Sequence, residues 1–190
     1  MTEQETLALY EKTGGLMHGH FRLSSGLHSS VYLQSALVLQ YPDHAAALGA
    51  ALAEPFRRER VATVLAPAIG GILVAHEVAR ALGARALFTE REGGAMSLRR
   101  GFSLTPGERC LVVEDVITTG GSTREVIQVV EACGGVLVGV GALIDRSGGQ
   151  ARFPVRQAAL ARVAADTFPP EACPLCRAGS QPVKPGSRGL

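Results

Sequence analysis

The chain has 190 residues, 46% of them hydrophobic and 19% charged, the composition of a soluble globular protein with material for one proper core. A formal charge of +2 provides no broad positive field, which argues against nucleic acid as a partner. No apolar run approaches a bilayer span and Met1-Thr2-Glu3-Gln4-Glu5 is not the start of a secretory signal, so a cytoplasmic protein without membrane partners is expected.

In chain order, Thr2-Glu3-Gln4-Glu5 is a capping box, and the helical pattern behind it runs to Thr13 before Gly14-Gly15 stops it. Phe21 to Gln34, with Ser24-Ser25-Gly26 and Ser29-Ser30, suggests short strands joined by a turn. Pro42-Asp43 starts a helix expected to run through Ala45–Arg58. From there strands and helices alternate. Val61–Ala66 is a strand, Gly71–Leu82 a helix closed by Gly83, and Ala84–Thr89 a second strand. Arg91–Phe102 is a polar, glycine-containing excursion. Cys110–Glu114 is a third strand, Ser122–Cys133 its helix, and Val136–Ile144 a further apolar strand. Such alternation predicts an α/β fold with a mainly parallel sheet flanked by helices. Ligands of such sheets sit beyond the carboxyl ends of the strands, so Ala66, Thr89, Asp115 and Asp145 should border one cleft. The tail Lys184-Pro185-Gly186-Ser187-Arg188 reads as loosely ordered.

The four cysteines, Cys110, Cys133, Cys173 and Cys176, make no disulfide framework in a chain of this size. Cys110 and Cys133 read as buried thiols. Cys173-Pro174-Leu175-Cys176 has zinc-ribbon spacing, but a structural zinc normally takes four ligands, and no second pair is nearby in sequence. His18 and His20 could complete a site only by folding back. No metal ligands are therefore assigned to the protein, and the pair also lacks the strand-then-helix setting of a thioredoxin centre.

The most informative segment is Leu111 to Thr123. An apolar strand ends in Glu114-Asp115-Val116-Ile117, then Thr118-Thr119-Gly120-Gly121-Ser122 opens a helix. Backbone N–H groups from Thr118 to Ser122 can converge at the helix N-terminus, a ready site for phosphate. The two acids would repel a phosphate but suit the hydroxyls of a ribose ring. The segment is thus fitted to a ribose 5-phosphate. No lysine follows Gly120-Gly121 as a nucleoside-triphosphate P-loop requires, and no G-x-G-x-x-G dinucleotide fingerprint is present.

Glu114 to Ser122 resembles the phosphoribosyl pyrophosphate (PRPP) motif of the type I phosphoribosyltransferases, and the likeness runs from about Gly19 to the C-terminus, towards the orotate-using branch. The resemblance implies one domain over 1–190, with an N-terminal hood of roughly 1–40 plus the C-terminal segment, and a core of roughly 41–165. It implies PRPP binding by Glu114, Asp115, Val116, Ile117, Thr118, Thr119, Gly120, Gly121 and Ser122. Ala66-Pro67-Ala68-Ile69-Gly70-Gly71 resembles the family's pyrophosphate loop, often containing a cis peptide, with Ala68, Gly70 and Gly71 as contacts. Arg146, 28 positions after Thr118, stands where the family contacts the orotate carboxylate, and Thr118 where it reaches the base. Glu90–Phe102 occupies the place of the mobile catalytic loop, with Arg91 as its catalytic residue and Arg99 and Arg100 as further positive charge. Mg²⁺ carried mainly by PRPP or pyrophosphate, and a homodimer, are also implied.

Departures are visible too. The loop has no lysine or histidine, a lysine common before Ser-Gly is Ser24 here, and one often seen in the pyrophosphate loop is Gly70. Transfer of ribose 5-phosphate from PRPP to orotate is the expected activity. The alternatives are a purine or uracil phosphoribosyltransferase, a PRPP-sensing regulator without catalysis, and an inactive paralogue. A regulator would be expected to carry a nucleic-acid-binding module, and a pI of 8.5 falls short of a strongly basic domain.

Overall fold

The computed structural model describes residues 1–23 and 25–185. Helix α1 (Glu3–Lys12) opens the chain and carries the expected reciprocal cap. Glu5 N–H donates to the Thr2 hydroxyl at 3.2 Å, and Thr2 N–H to the Glu5 carboxylate at 2.7 Å. Strands β1 (Leu16–Arg22) and β2 (His28–Leu33) pair antiparallel, so the expected hairpin forms but begins at Leu16 rather than Phe21. Ser24, the position of the missing lysine, lies outside the described residues.

A one-turn helix α2 (Ala36–Leu39) leads into α3 (Pro42–Ala53), with Pro42 in the first turn, where its missing N–H leaves no bond unmade. The helix expected through Arg58 does not continue as such. Pro55 removes a donor and crowds the preceding turn, and Glu54–Glu59 tightens into a 3-10 segment ending at Arg60 with φ of 49°.

The central layer comprises β3 (Thr63–Pro67), β4 (Arg85–Glu92), β5 (Ala95–Leu98), β6 (Arg109–Ile117), β7 (Val136–Asp145) and β8 (Gln157–Arg162). They form a six-stranded sheet in the order β5-β4-β3-β6-β7-β8. All neighbouring pairs are parallel except β4 with β5, which places the antiparallel strand at the edge. Helices α4 (Gly71–Leu82) and α5 (Gly121–Ala132) make the crossovers; Gly83 closes α4 in the left-handed conformation, at φ of 68°. Successive strand residues point to opposite faces, and here both faces are buried. Val64, Leu111 and Leu143 pack with Leu48 and Leu52 of α3 and Val74 and Val78 of α4. Leu65, Val112 and Val140 pack with Val126, Ile127 and Val130 of α5.

The Arg91–Phe102 excursion is corrected by the structure. β4 continues to Glu92, turns through Gly93 (φ 58°) and Gly94 (φ 90°), and returns as β5 with Glu92 opposite Ala95. Two central residues with positive φ make the tight turn whose twist matches a hairpin, and only glycine enters it without steric cost. Beyond the sheet, β9 (Thr167–Phe168) pairs with β2, giving a small sheet β1-β2-β9, and α6 (Pro174–Arg177) follows. The chain then returns to β1: Val183 N–H donates to the His20 carbonyl and Arg22 N–H to the Val183 carbonyl, both at 2.8 Å.

Candidate active site

The carboxyl ends of β3, β4, β6 and β7 emerge at one edge of the sheet, as parallel pairing demands. β6 lies between β3 and β7, so the acidic doublet stands in the middle of that edge. Adjacent strand residues diverge, and the two carboxylates take different surroundings. Glu114 turns towards α5, where the Thr123 hydroxyl donates to it at 3.4 Å. Asp115 turns towards the β3–α4 loop, its oxygens so near Gly70 that a Cβ there would lie 2.7 Å away.

Burial dominates the electrostatics of both. It raises the Glu114 pKa to about 9, the Asp115 charge adding to the rise and the Thr123 hydrogen bond opposing it. Burial also raises Asp115, against the pull of the Ser35 hydroxyl and the backbone amides of Val116 and Asp115. Among the described residues, no ion pair involves either acid. The doublet is therefore a desolvated acceptor set waiting for donors or positive charge.

Beyond Ile117, residues 118–123 curl around a small concavity of about 100 Å³, which Glu114, Val116 and Ile117 also border. Gly120 makes the curl possible. Its φ is 76°, and a Cβ would meet Phe153 at 3.0 Å, Arg124 at 3.1 Å and Ala151 at 3.2 Å. Arg124 braces the loop by donating to the Thr119 carbonyl at 2.8 Å while its guanidinium lies 5.3 Å from the Phe153 ring centroid. Gly120 at the N-cap offers α5 no side chain; the Gly121 N–H donates to the Thr119 hydroxyl at 3.4 Å, and residues 121–123 of the first turn border the concavity. Polar backbone, glycines and hydroxyls with the positive end of a helix are chemistry suited to an oxyanion. A roomier hollow of about 700 Å³ lies between α1 and α3, away from these strand ends, and holds none of the predicted residues.

The second predicted loop adjoins the first. Ala68–Ile69 is a cis peptide, Ala68 N–H donates to the Thr89 carbonyl at 2.8 Å, and Gly71 begins α4. On the other side, Ile117 pairs with Asp145, which brings Thr118 beside Arg146. The Arg146 backbone N–H donates to the Ile117 carbonyl, and its guanidinium to the Ser29 hydroxyl of β2, each at 2.8 Å. Burial lowers the Arg146 pKa, and no carboxylate pairs with it among the described residues. Asp145 instead accepts from the Ser147 amide at 2.8 Å.

Arg91 sits apart from this group. Its guanidinium pairs with Glu125 of α5 at 2.7 Å and donates to the Gly94 carbonyl at 2.8 Å. Arg100 forms a two-pronged pair with Glu90 at 2.7 and 2.8 Å, and Arg99 lies 3.4 Å from Glu92. The three arginines of the hairpin are thus all held by carboxylates.

Sequence reasoning missed Ser35, Tyr10 and Thr123. The buried Tyr10 and Ser35 hydroxyls share a hydrogen bond of 3.0 Å, and the Ser35 hydroxyl lowers the Asp115 pKa against the effect of burial. Only Thr123, one residue past the motif, carried a local signal.

The phosphoribosyl transferase domain model matches residues 38–154. An orotate phosphoribosyltransferase of Desulforamulus reducens is 57% identical over 190 residues, covering 100% of both chains. One from Thermus thermophilus is 54% identical over 176 residues, 92% of this chain and 96% of that one. The chain belongs to the orotate phosphoribosyltransferase family. The crystal structure of the orotate phosphoribosyltransferase from Aeropyrum pernix superposes with a TM-score of 0.66 at 28% identity, covering 82% of this chain and 92% of that one. Within this family, one departure noted in the sequence gains a geometric account. At Gly70, where the sequence departs from the lysine expected of the resemblance, any Cβ would stand 2.7 Å from the Asp115 carboxylate.

Proposed function

We propose that the protein transfers ribose 5-phosphate from PRPP to N1 of orotate, releasing pyrophosphate and orotidine 5′-monophosphate in UMP synthesis. The carrying observation is Arg146, a half-buried guanidinium with no acid partner among the described residues, beside the loop of residues 118–122. Orotate, unlike uracil or a purine base, brings a ring carboxylate, which a guanidinium recognises through two parallel hydrogen bonds.

The amides of Thr118 to Ser122 take the 5′-phosphate, away from the reacting carbon, so that binding there fixes the position of carbon 1. Glu114 and Asp115 accept from the ribose hydroxyls. Glu114 holds a proton in the ligand-free protein, and the positive charge that arrives with the donor and develops at carbon 1 as pyrophosphate departs draws both acids to the ionised form that favours that cation. Ala68, Gly70 and Gly71 receive the leaving group through backbone amides. Arg91, with Arg99 and Arg100, supplies its positive charge once freed from Glu125, Glu90 and Glu92. Thr118 faces the base. Nothing in this scheme requires a side-chain nucleophile.

The desolvated, unpaired doublet is hard oxygen-donor chemistry, which fits Mg²⁺ arriving on the substrate. When bound, Mg²⁺ neutralises charge on the pyrophosphate leaving group. We further infer a homodimer in which the β4–β5 hairpin serves the neighbouring site, and a cytoplasmic location. No helix among the described residues is long and apolar enough to cross a membrane.

Pyrophosphate release from PRPP and Mg²⁺ should depend on orotate and fall to background with adenine, hypoxanthine or uracil. PRPP binding without orotate turnover would refute the assignment.

A further inference from the structure

His20, His28, Cys173 and Cys176 are not among the residues assigned to the active site, yet their ligand atoms all fall within 4.8 Å of one another. They come from three places in the chain. His20 is on β1, His28 opens β2, and the cysteines bracket the first turn of α6. His20, His28 and Cys173 are buried, and Cys176 is partly so. The sequence assigned no metal ligands and pointed to His18 with His20 as the only partners. The fold keeps His20, leaves His18 exposed, and brings in His28 instead.

Four of the six separations come close to those of a tetrahedron. With zinc at about 2.3 Å from sulfur and about 2.0–2.1 Å from nitrogen, tetrahedral angles put sulfur and nitrogen about 3.6 Å apart and two nitrogens about 3.3 Å apart. The Cys173 and Cys176 sulfurs lie 3.5 and 3.8 Å from His20 Nε2, the Cys176 sulfur 3.3 Å from His28 Nδ1, and the two nitrogens 3.0 Å apart.

Hydrogen bonding alone does not account for this arrangement. His20 Nδ1 lies 3.1 Å from the Ser180 carbonyl, which can only accept, so Nδ1 carries a proton. In a neutral imidazole Nε2 is then a single lone pair, and it is approached at once by His28 Nδ1 and two sulfurs. One lone pair faced by three other donor atoms at 3.0 to 3.8 Å is the posture of a metal ligand. The Ser180 carbonyl is the outer partner that fixes such a ring.

We infer that His20, His28, Cys173 and Cys176 bind a structural zinc ion that fastens the C-terminal segment to the β1–β2 hairpin. Two thiolates balance the charge of Zn²⁺, and four protein ligands close the site to substrate, which suits a structural metal rather than a catalytic one. A staple is needed there. β9 contributes only two paired residues, and a three-stranded sheet of this size has little core of its own.

The full-length protein, purified without chelators in reducing buffer, should contain about one zinc per chain by elemental analysis. Replacement by cobalt(II) should give thiolate charge-transfer and tetrahedral ligand-field absorption. Cys176→Ser and His28→Ala should each cut metal content about tenfold or more, whereas His18→Ala should leave it unchanged. Because Cys173 is fully buried and its replacement could prevent folding, the wild-type protein provides the second measurement: stripped of metal, it should take zinc back from a competing chelator and recover a thermal midpoint several degrees higher. A reduced wild-type protein that neither retains zinc nor takes up zinc or cobalt(II) overturns the site. So does a cobalt spectrum unaltered by Cys176→Ser, or metal lost with His18→Ala and kept with His28→Ala.

Discussion

Glu114 shows how one residue can link proton, substrate and stability. Its pKa in the folded protein, about 9, stands above the ordinary carboxylate value of 4.5. A raised pKa means that the folded state holds a proton the unfolded chain has given up. The contribution is complete below pH 4.5 and is lost as pH rises through about 9. Unfolding free energy of the ligand-free protein should therefore decline across that interval, by up to about 1.4 kcal/mol per pH unit for one proton. Glu114→Gln should flatten the slope in denaturant titrations at several pH values; an unchanged slope would remove Glu114 as its source. The neighbouring acid and the arginine separate the two substrates. Asp115→Asn should weaken PRPP use, while Arg146→Ala should lower kcat/KM for orotate about 10- to 100-fold, the worth of a charge-assisted hydrogen-bond pair, with PRPP affinity changed little. Equal steady-state effects of both variants on both substrates would contradict that division.

Among the elements, the β6–loop–α5 unit depends on backbone shape more than on side chains. Gly120→Ala would place a methyl where φ is 76° and Phe153, Arg124 and Ala151 already stand within 3.2 Å. Left-handed backbone costs an L-residue about 1–2 kcal/mol, so PRPP should bind about tenfold more weakly in calorimetry. Wild-type affinity in this variant would show that the curl does not shape the anion site. The same unit explains what could be read in advance. Motif, capping box and the Gly83 helix stop are local, and each appears where the sequence puts it. The β4–β5 hairpin was less legible because charge and glycine in Glu90–Phe102 describe a mobile loop and a tight turn equally well. What decides is Gly93-Gly94 with strand residues on either side. β8 was invisible for a different reason: Ala158-Ala159-Leu160-Ala161 has no strand preference and becomes a strand by pairing with β7.

At the scale of the whole molecule, legibility falls with distance along the chain. Ser35 and Tyr10 support Asp115 from the N-terminal helices, and no spacing rule connects positions so remote. The zinc ligands are a sharper case. His18 and His20 share strand parity, so an undistorted strand would present both to one side. The pairing of β1 with β2 is irregular between His18 and Phe21, and only His20 is buried. His28, eight residues on, arrives by way of the hairpin, and the cysteines arrive from more than 150 positions away.

Ser29 has a further consequence. Its hydroxyl receives the Arg146 guanidinium and itself donates to the Asp166 carbonyl at 3.0 Å, just ahead of β9. With the roles proposed for Arg146 and the 118–122 loop, acceptor preference is anchored in the peripheral sheet, while grip on the sugar phosphate belongs to the central one. A lineage could revise which base it accepts by rebuilding the periphery and leave the grip on the sugar intact.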